Sequence, residues 1–284
     1  MSTFALKIFA LICMVIDHIG AFIPGMPVQM RWIGRLAAPI FMFCLCEGMD
    51  HTSNEKKYLA RLYSAGVIMA FIQYFTGLTA NIFRTLFVIA CNLFFIRHIR
   101  EGKKEYIKYY LVYLLYQLST ISLFGYLYMR NQSDLIRRLI CALAGSAAFC
   151  EGSVAFVILG IVIYLCKDNK IKLLLGVTIC SGIYGLLTLT NLTTALTDPI
   201  IAMSRDPART NRIIQYGFYV SFSAFRPGVT GRNPFTEQYQ WMMVFSVIPM
   251  LMYNGEKGRS MKWFFYVFYV VHLVILWYIG KMLA

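Results

Sequence analysis

The chain has 284 residues, of which 59% are hydrophobic and 14% charged, and its formal net charge is +14. A soluble domain carries about 25% charged residues, so this balance, with a mean hydropathy of +0.62, excludes an ordinary globular protein and points to the bilayer. No soluble domain is present to carry a basic face for nucleic acid; Lys and Arg sit mostly in short loops, where they fix topology and meet anionic headgroups.

Apolar runs of roughly 17–25 residues recur from end to end, each long enough for a hydrocarbon core of about 30 Å. Backbone polar groups in lipid must be satisfied internally, so full crossings are helices. The pattern predicts an all-α fold, a polytopic transmembrane helix bundle of about ten spans (nine to eleven) in one domain over 1–284. The runs are 3–23, 32–49, 58–78, 80–98, 105–128, 134–150, 153–167, 171–192, 239–253 and 262–282.

The first run is too long for the core of a signal peptide and lacks a small-x-small cleavage site, so no cleavable signal is expected. It holds Lys7, Asp17 and His18. Ionisable groups inside a membrane cost about +2.5 to +3.5 kcal/mol each on insertion and by default mark function. Lys7 and His18 are eleven residues apart; at 100° per residue they fall about 20° from the same face and roughly 16 Å apart along the axis. One stripe thus carries a cation near one membrane edge and an imidazole near the middle. A pantetheine arm has about the reach to link them. Equally, Lys7 snorkels to headgroups and His18 bonds a neighbouring helix. Asp17 points about 100° from His18, and pairs more readily with Arg35 or with His272 of the last run.

In the second run Glu47 and His51 share a face at i, i+4, and Glu47 lies deeper. The loops at 50–57 and 99–104, with Lys56, Lys57, Arg61, Arg97, Arg100, Lys103 and Lys104 in or beside them, place that side and the N-terminus in the cytoplasm. Asn81, Arg84 and Thr85 cluster near a helix start, where they hold substrate or cap. Around Cys150-Glu151-Gly152-Ser153 the pattern reads as two short helices or as one crossing plus a re-entrant piece. Segment 196–238, with Arg205, Arg209, Arg212, Arg226, Arg232 and four prolines, is a long polar insertion expected to form a lid or interfacial helix. The eight cysteines show no CxxC and no His/Cys zinc spacing; they read as reduced packing residues, and no metal is expected.

LK near the start, MVIDHIG, GRLAAPIFMFCLCEGMDHT and KKYLARL together resemble the opening of the TraX family, named for a protein that acetylates the N-terminal amine of conjugative pilin. NIFRTL (81–86), YNGEKG (253–258) and FFYVFYVVHL (264–273) are similar to its later motifs. Two departures stand out. Tyr269-Val270-Val271-His272 lacks the family's proline, and Glu151-Gly152-Ser153 replaces an Asp-Tyr-Gly. The basic residue with ten residues between it and His18 also resembles the first helix of larger membrane acyltransferases that O-acetylate surface sugars.

The resemblance implies a multi-pass plasma (inner) membrane acyltransferase using acetyl-CoA, with a peptide, glycan or small-molecule acceptor. It implies a catalytic His18 supported by Asp17, Arg35, Glu47 and His272. Lys7, Arg35, Lys56, Lys57 and Arg61 would meet the donor, and Asn81, Arg84, Thr85 and Glu151 the acceptor. Two other classes remain open. A proton-coupled secondary transporter or channel uses the same buried groups, though no internal repeat is visible. In a scaffold they would be helix glue, worth only about 0.6 kcal/mol per bond.

Overall fold

A computed structural model describes residues 1–130, 133–222 and 233–283 of the chain. The described elements are α1 (Thr3–Phe22), α2 (Gln29–Gly34), α3 (Ala37–Asp50), α4 (Glu55–Thr76), α5 (Ile82–Arg100), α6 (Glu105–Met129), α7 (Asp134–Leu143), α8 (Ser153–Cys166), α9 (Lys170–Leu189), α10 (Leu192–Ala202), α11 (Pro207–Phe222), a 3₁₀ stretch (Tyr239–Ser246), α12 (Val247–Leu251) and α13 (Lys262–Leu283). The fold is all-α, with no strand among the described residues. Among the described residues six stretches are long and apolar enough to cross a bilayer: α1, α2–α3, α5, α6, α9 and α13. The protein is a multi-pass membrane protein. Two shorter apolar helices, Ser153–Cys166 and Tyr239–Leu251, accompany them.

The chain divides into two compact units. Unit 1 comprises Met1–Gly48, Val162–Leu189 and Arg232–Ala284; unit 2 comprises Met49–Ile161 and Thr190–Gly231.

In unit 1, α1 begins where the Ser2 hydroxyl accepts from the Ala5 amide. Helix starts leave orphan N–H groups. Here the amides of Thr3 and Phe4 donate to the carbonyls of Glu256 (2.8 Å) and Lys257 (3.1 Å). The turn that supplies them, Tyr253–Gly258, can fold back because Gly255 and Gly258 take φ of +83° and +68°. α1 then runs parallel to α13. Phe4 and Lys7 both meet Phe265, His18 meets His272, and Gly280 passes against the Phe22 carbonyl.

The second expected span is not one straight helix. Pro39 has no N–H and its ring conflicts with the carbonyl four residues back, that of Arg35. The chain therefore tightens there: the Arg35 and Leu36 amides bond the Trp32 and Ile33 carbonyls, three residues back. The Arg31 carbonyl, left without its usual helical donor, is capped by Arg35 Nε at 3.0 Å.

In unit 2, α4 ends at Gly77 with φ +77° and packs along α5. α7 has only 10 residues, a length of about 15 Å, too short to cross alone. Residues 144–152 leave the helix yet stay buried from Ser146 to Cys150 before α8 begins. The region takes the form of two short helices joined by a buried loop. Within the 196–238 insertion lies α11, whose buried Tyr216 and Val220 pack with Phe124, Cys141, Ala148 and Phe149, while Arg209 and Arg212 are exposed. Its start is capped by the Asp206 carboxylate, which accepts from the Arg209 amide at 3.0 Å. The part of the expected lid at 223–232, with Arg226, Pro227 and Arg232, lies outside the described residues.

Candidate functional site

Two polar clusters form in unit 1. The first gathers around α1. His18, 7% exposed, brings Nδ1 to 2.7 Å from Nε2 of His272, and Nδ1 of His272 lies 2.7 Å from the Phe268 carbonyl oxygen. His18 stands four residues before the end of α1, nearer that end than the middle expected from sequence. Asp17 faces away from the ring. Its Oδ1 takes Arg35 Nη2 at 2.6 Å and Arg31 Nη1 at 3.1 Å, and its backbone carbonyl takes Arg31 Nη1 at 2.9 Å. Arg35 Nη1 also donates to Gln240 Oε1 at 2.8 Å, and its guanidinium lies 5.4 Å from the Tyr239 ring centroid. With Nε on Arg31, three of its five N–H groups are engaged.

The second cluster sits at the other end of α1. Glu47 Oε1 pairs with Lys167 Nζ at 3.0 Å, and Oε2 accepts from Tyr253 Oη at 3.0 Å, which in turn accepts from Thr3 Oγ1 at 3.3 Å. Lys7, one turn further along, holds its ammonium 5.8 Å from the Phe265 ring centroid.

Unit 2 holds the polar set expected to meet the acceptor. Arg84 Nη1 donates to the Phe149 carbonyl (3.1 Å), and Nη2 to those of Ser146 (3.2 Å) and Ala148 (2.7 Å). The Asn81 amide donates to Glu151 Oε2 at 2.8 Å, and Thr85 Oγ1 to the Glu151 carbonyl at 2.7 Å. Gln117 adds both functions of its amide, donating to the Gly145 carbonyl and accepting from the Ala147 amide. Non-helical backbone at membrane depth is tolerated only where protein groups satisfy it. These four expected residues are brought together, and their hydrogen bonds seal the buried loop. Of the expected donor-binding residues in this unit, Lys56 and Lys57 are exposed in the first turn of α4, and Arg61 lies over the Tyr58 ring at 5.4 Å.

The family model for the TraX protein matches residues 2–225. The chain belongs to the TraX family. A 71-residue stretch, 24% of the chain, is 41% identical to the probable fimbrial assembly protein FimC, serogroup H1, of Dichelobacter nodosus and covers 29% of it. A 96-residue stretch, 33% of the chain, is 33% identical to uncharacterized protein RP591 of Rickettsia prowazekii (strain Madrid E) and covers 37% of it. The matches thus span about a third of the length of these curated relatives. No solved structure matches the chain.

The pairings in this TraX-family chain agree only in part with those expected from sequence. Asp17 holds Arg35, one of the two partners expected from its direction about 100° away from His18, and Arg31 as well. Glu47 is committed to Lys167 and Tyr253. His272, the other partner expected for Asp17, contacts His18 itself. Sequence reasoning missed Arg31, although its place four residues before Arg35 signals a shared helical face. It also missed Tyr239, Gln240, Tyr253 and Lys167, whose partners are distant in the chain.

Proposed function

We propose that this TraX-family protein is an acyl-CoA-dependent membrane acyltransferase, moving an acetyl group onto an amine or hydroxyl of a pilin-like peptide or a surface glycan. The observation that carries the reading is the state of His18. It is a buried imidazole on an apolar helix, bonded to a second ring rather than spent in an ion pair, and the Arg31 and Arg35 guanidinia are held by the adjacent Asp17. The family resemblance and a relative named for fimbrial assembly support it.

His18 acts as general base. As the acceptor nitrogen or oxygen bonds the thioester carbon, its proton passes to the imidazole; the carbon–sulfur bond then breaks and the proton returns to the thiolate, giving the CoA thiol. Arg31 and Arg35, anchored by Asp17, steady the oxyanion of the tetrahedral intermediate. Lys7, about 16 Å back along the same helix, meets the donor phosphates. The setting is the inner membrane with the start of α1 in the cytoplasm. Nine crossings complete the path: α1, α2–α3, α4, α5, α6, α7–α8 together, α9, Tyr239–Leu251 and α13.

The test uses purified protein in nanodiscs with labelled acetyl-CoA and peptide or glycan acceptors. Wild type transfers label, and His18→Ala lowers the rate by about 10²-fold or more. Transfer by His18→Ala at the wild-type rate overturns the assignment. Lys7→Glu raises KM for acetyl-CoA; an unchanged KM removes its phosphate role.

A further inference from the structure

Resting on that reading, we propose that His272 is a positioning residue that fixes the tautomer of His18 and then takes up the charge His18 acquires, in place of a triad carboxylate.

The hydrogen bonds dictate the protonation pattern. A carbonyl oxygen can only accept, so His272 Nδ1, 2.7 Å from the Phe268 oxygen, carries a proton. A neutral His272 then has a bare Nε2. That nitrogen is 2.7 Å from His18 Nδ1, so His18 must donate and its own proton sits on Nδ1. His18 Nε2 is left with a free lone pair, the form a general base needs. Among the described residues no carboxylate bonds either ring: the Asp17 carboxylate holds Arg31 and Arg35.

The same chain can move charge. When His18 Nε2 takes the acceptor's proton, its Nδ1 proton can pass to His272 Nε2. His18 becomes neutral with its proton on Nε2, and His272 becomes the cation; no proton is gained or lost. Two features favour the charge there. The Nδ1–H of His272 points at the Phe268 carbonyl, and the Phe268 ring lies 5.1 Å away at an interplanar angle of 15°, within cation–π range. Arg31 and Arg35 are both held by Asp17, the residue next to His18 on α1, whereas His272 stands on α13. Transfer therefore carries the charge away from two fixed cations that must stay in place for the oxyanion. The return of both protons delivers one to the leaving thiolate and restores the starting tautomer.

The experiment is nitrogen-15 NMR of full-length, histidine-labelled protein in nanodiscs, with His18 assigned by its loss in His18→Gln. In wild type His18 shows a protonated Nδ1 and a bare Nε2; the opposite pattern overturns the proposal. His272→Phe keeps the ring shape without nitrogen, and the His18 proton shifts toward Nε2; an unmoved tautomer overturns the positioning role. His272→Gln keeps an acceptor but cannot take a proton, so the tautomer persists while kcat falls about 10-fold or more, with KM for acetyl-CoA within about twofold. A Gln variant with wild-type kcat overturns the charge transfer. Failure of the acyltransferase reading is seen separately, as a wild type that transfers no label yet retains the NMR pattern.

Discussion

Gly34 lies so close to Asp17 that a methyl group added to it would sit 2.2 Å from the carboxylate. This contact is what lets α2 approach α1 and deliver Arg31 and Arg35 to the residue beside His18. Gly34→Ala forces the helices apart. An overpacked contact of this kind costs about 1–3 kcal/mol, seen as a lower midpoint of thermal unfolding in detergent. Activity should fall further than the loss of folded protein explains, because both guanidinia withdraw. Full activity in a merely destabilised variant would show that their position is irrelevant to the chemistry.

Asp17 is predicted to act through charge balance. Asp17→Asn leaves two largely buried guanidinia without their shared carboxylate, a loss on the order of 3 kcal/mol. Combining it with Arg35→Gln should recover part of that stability, because an unpaired charge is removed with it. Activity should remain low in the double variant. Thermal unfolding of the three proteins against wild type forms a double-mutant cycle, and strict additivity of the two changes would mean the pair is not coupled.

The pattern of legibility follows from which interactions are local. The stripe linking Lys7 to His18 was readable from helical periodicity alone, and both side chains do meet α13, at Phe265 and His272. The partnership of Asp17 with Arg35 was likewise legible, since two opposite charges in apolar segments need each other. Glu47 with Lys167 was not, because one residue lies in a span and the other past a distant helix end. The sequence of residues 144–152 is as apolar as a helix, so composition hid the loop. Side chains reaching from other helices, Arg84, Gln117 and Thr85 among them, make its buried carbonyls and amides tolerable. The hitch at Arg35 was visible in Pro39, whose consequence is local, though the run reads as a single span.

Arg84 should therefore behave as a structural residue. Arg84→Leu takes the guanidinium from three carbonyl acceptors in the interior of unit 2, of which Ser146 keeps the Cys150 thiol, at about 1–3 kcal/mol for each buried group left unsatisfied. The expected result is a large fall in thermal stability and in yield. Arg84→Lys, which keeps the charge but not the fork, should recover only part of it. In whatever protein folds, KM for the acceptor stays at its wild-type value. A stable Arg84→Lys with a raised acceptor KM would return this residue to substrate binding.

Tyr253 gives a pH signature. It lies in the turn after α12, where burial pushes its phenol above the ordinary tyrosine value and the neighbouring Glu47 carboxylate adds to the effect. A raised pKa means the folded state holds the proton more tightly than the unfolded chain. The associated stability is fully present below the unfolded value, about 10, and is lost as pH rises through the folded one. Between about pH 8 and about pH 11 the thermal midpoint of wild type should fall more steeply than that of Tyr253→Phe. Parallel curves for the two proteins would show that ionisation of Tyr253 is not linked to folding.

The parallel course of α1 and α13 fixes a relation between their ends. Phe4 and Lys7, near the start of α1, meet Phe265 near the start of α13; Phe22, the last residue of α1, meets Gly280 near the end of α13. Each helix is long and apolar enough to cross. The start of α1 and the end of α13 must then face opposite sides of the membrane, and the number of crossings must be odd. With the start of α1 in the cytoplasm, alkaline phosphatase joined after α13 should be active and a green fluorescent reporter there dark. The same pair joined in the loop at 101–104 should give the reverse. His18, four residues from the far end of α1, would then sit toward the non-cytoplasmic face, where an acceptor outside the cell is nearer than one within. Reporters that place both helix ends on the same side would break the parallel pairing on which the stripe from Lys7 to His18 depends.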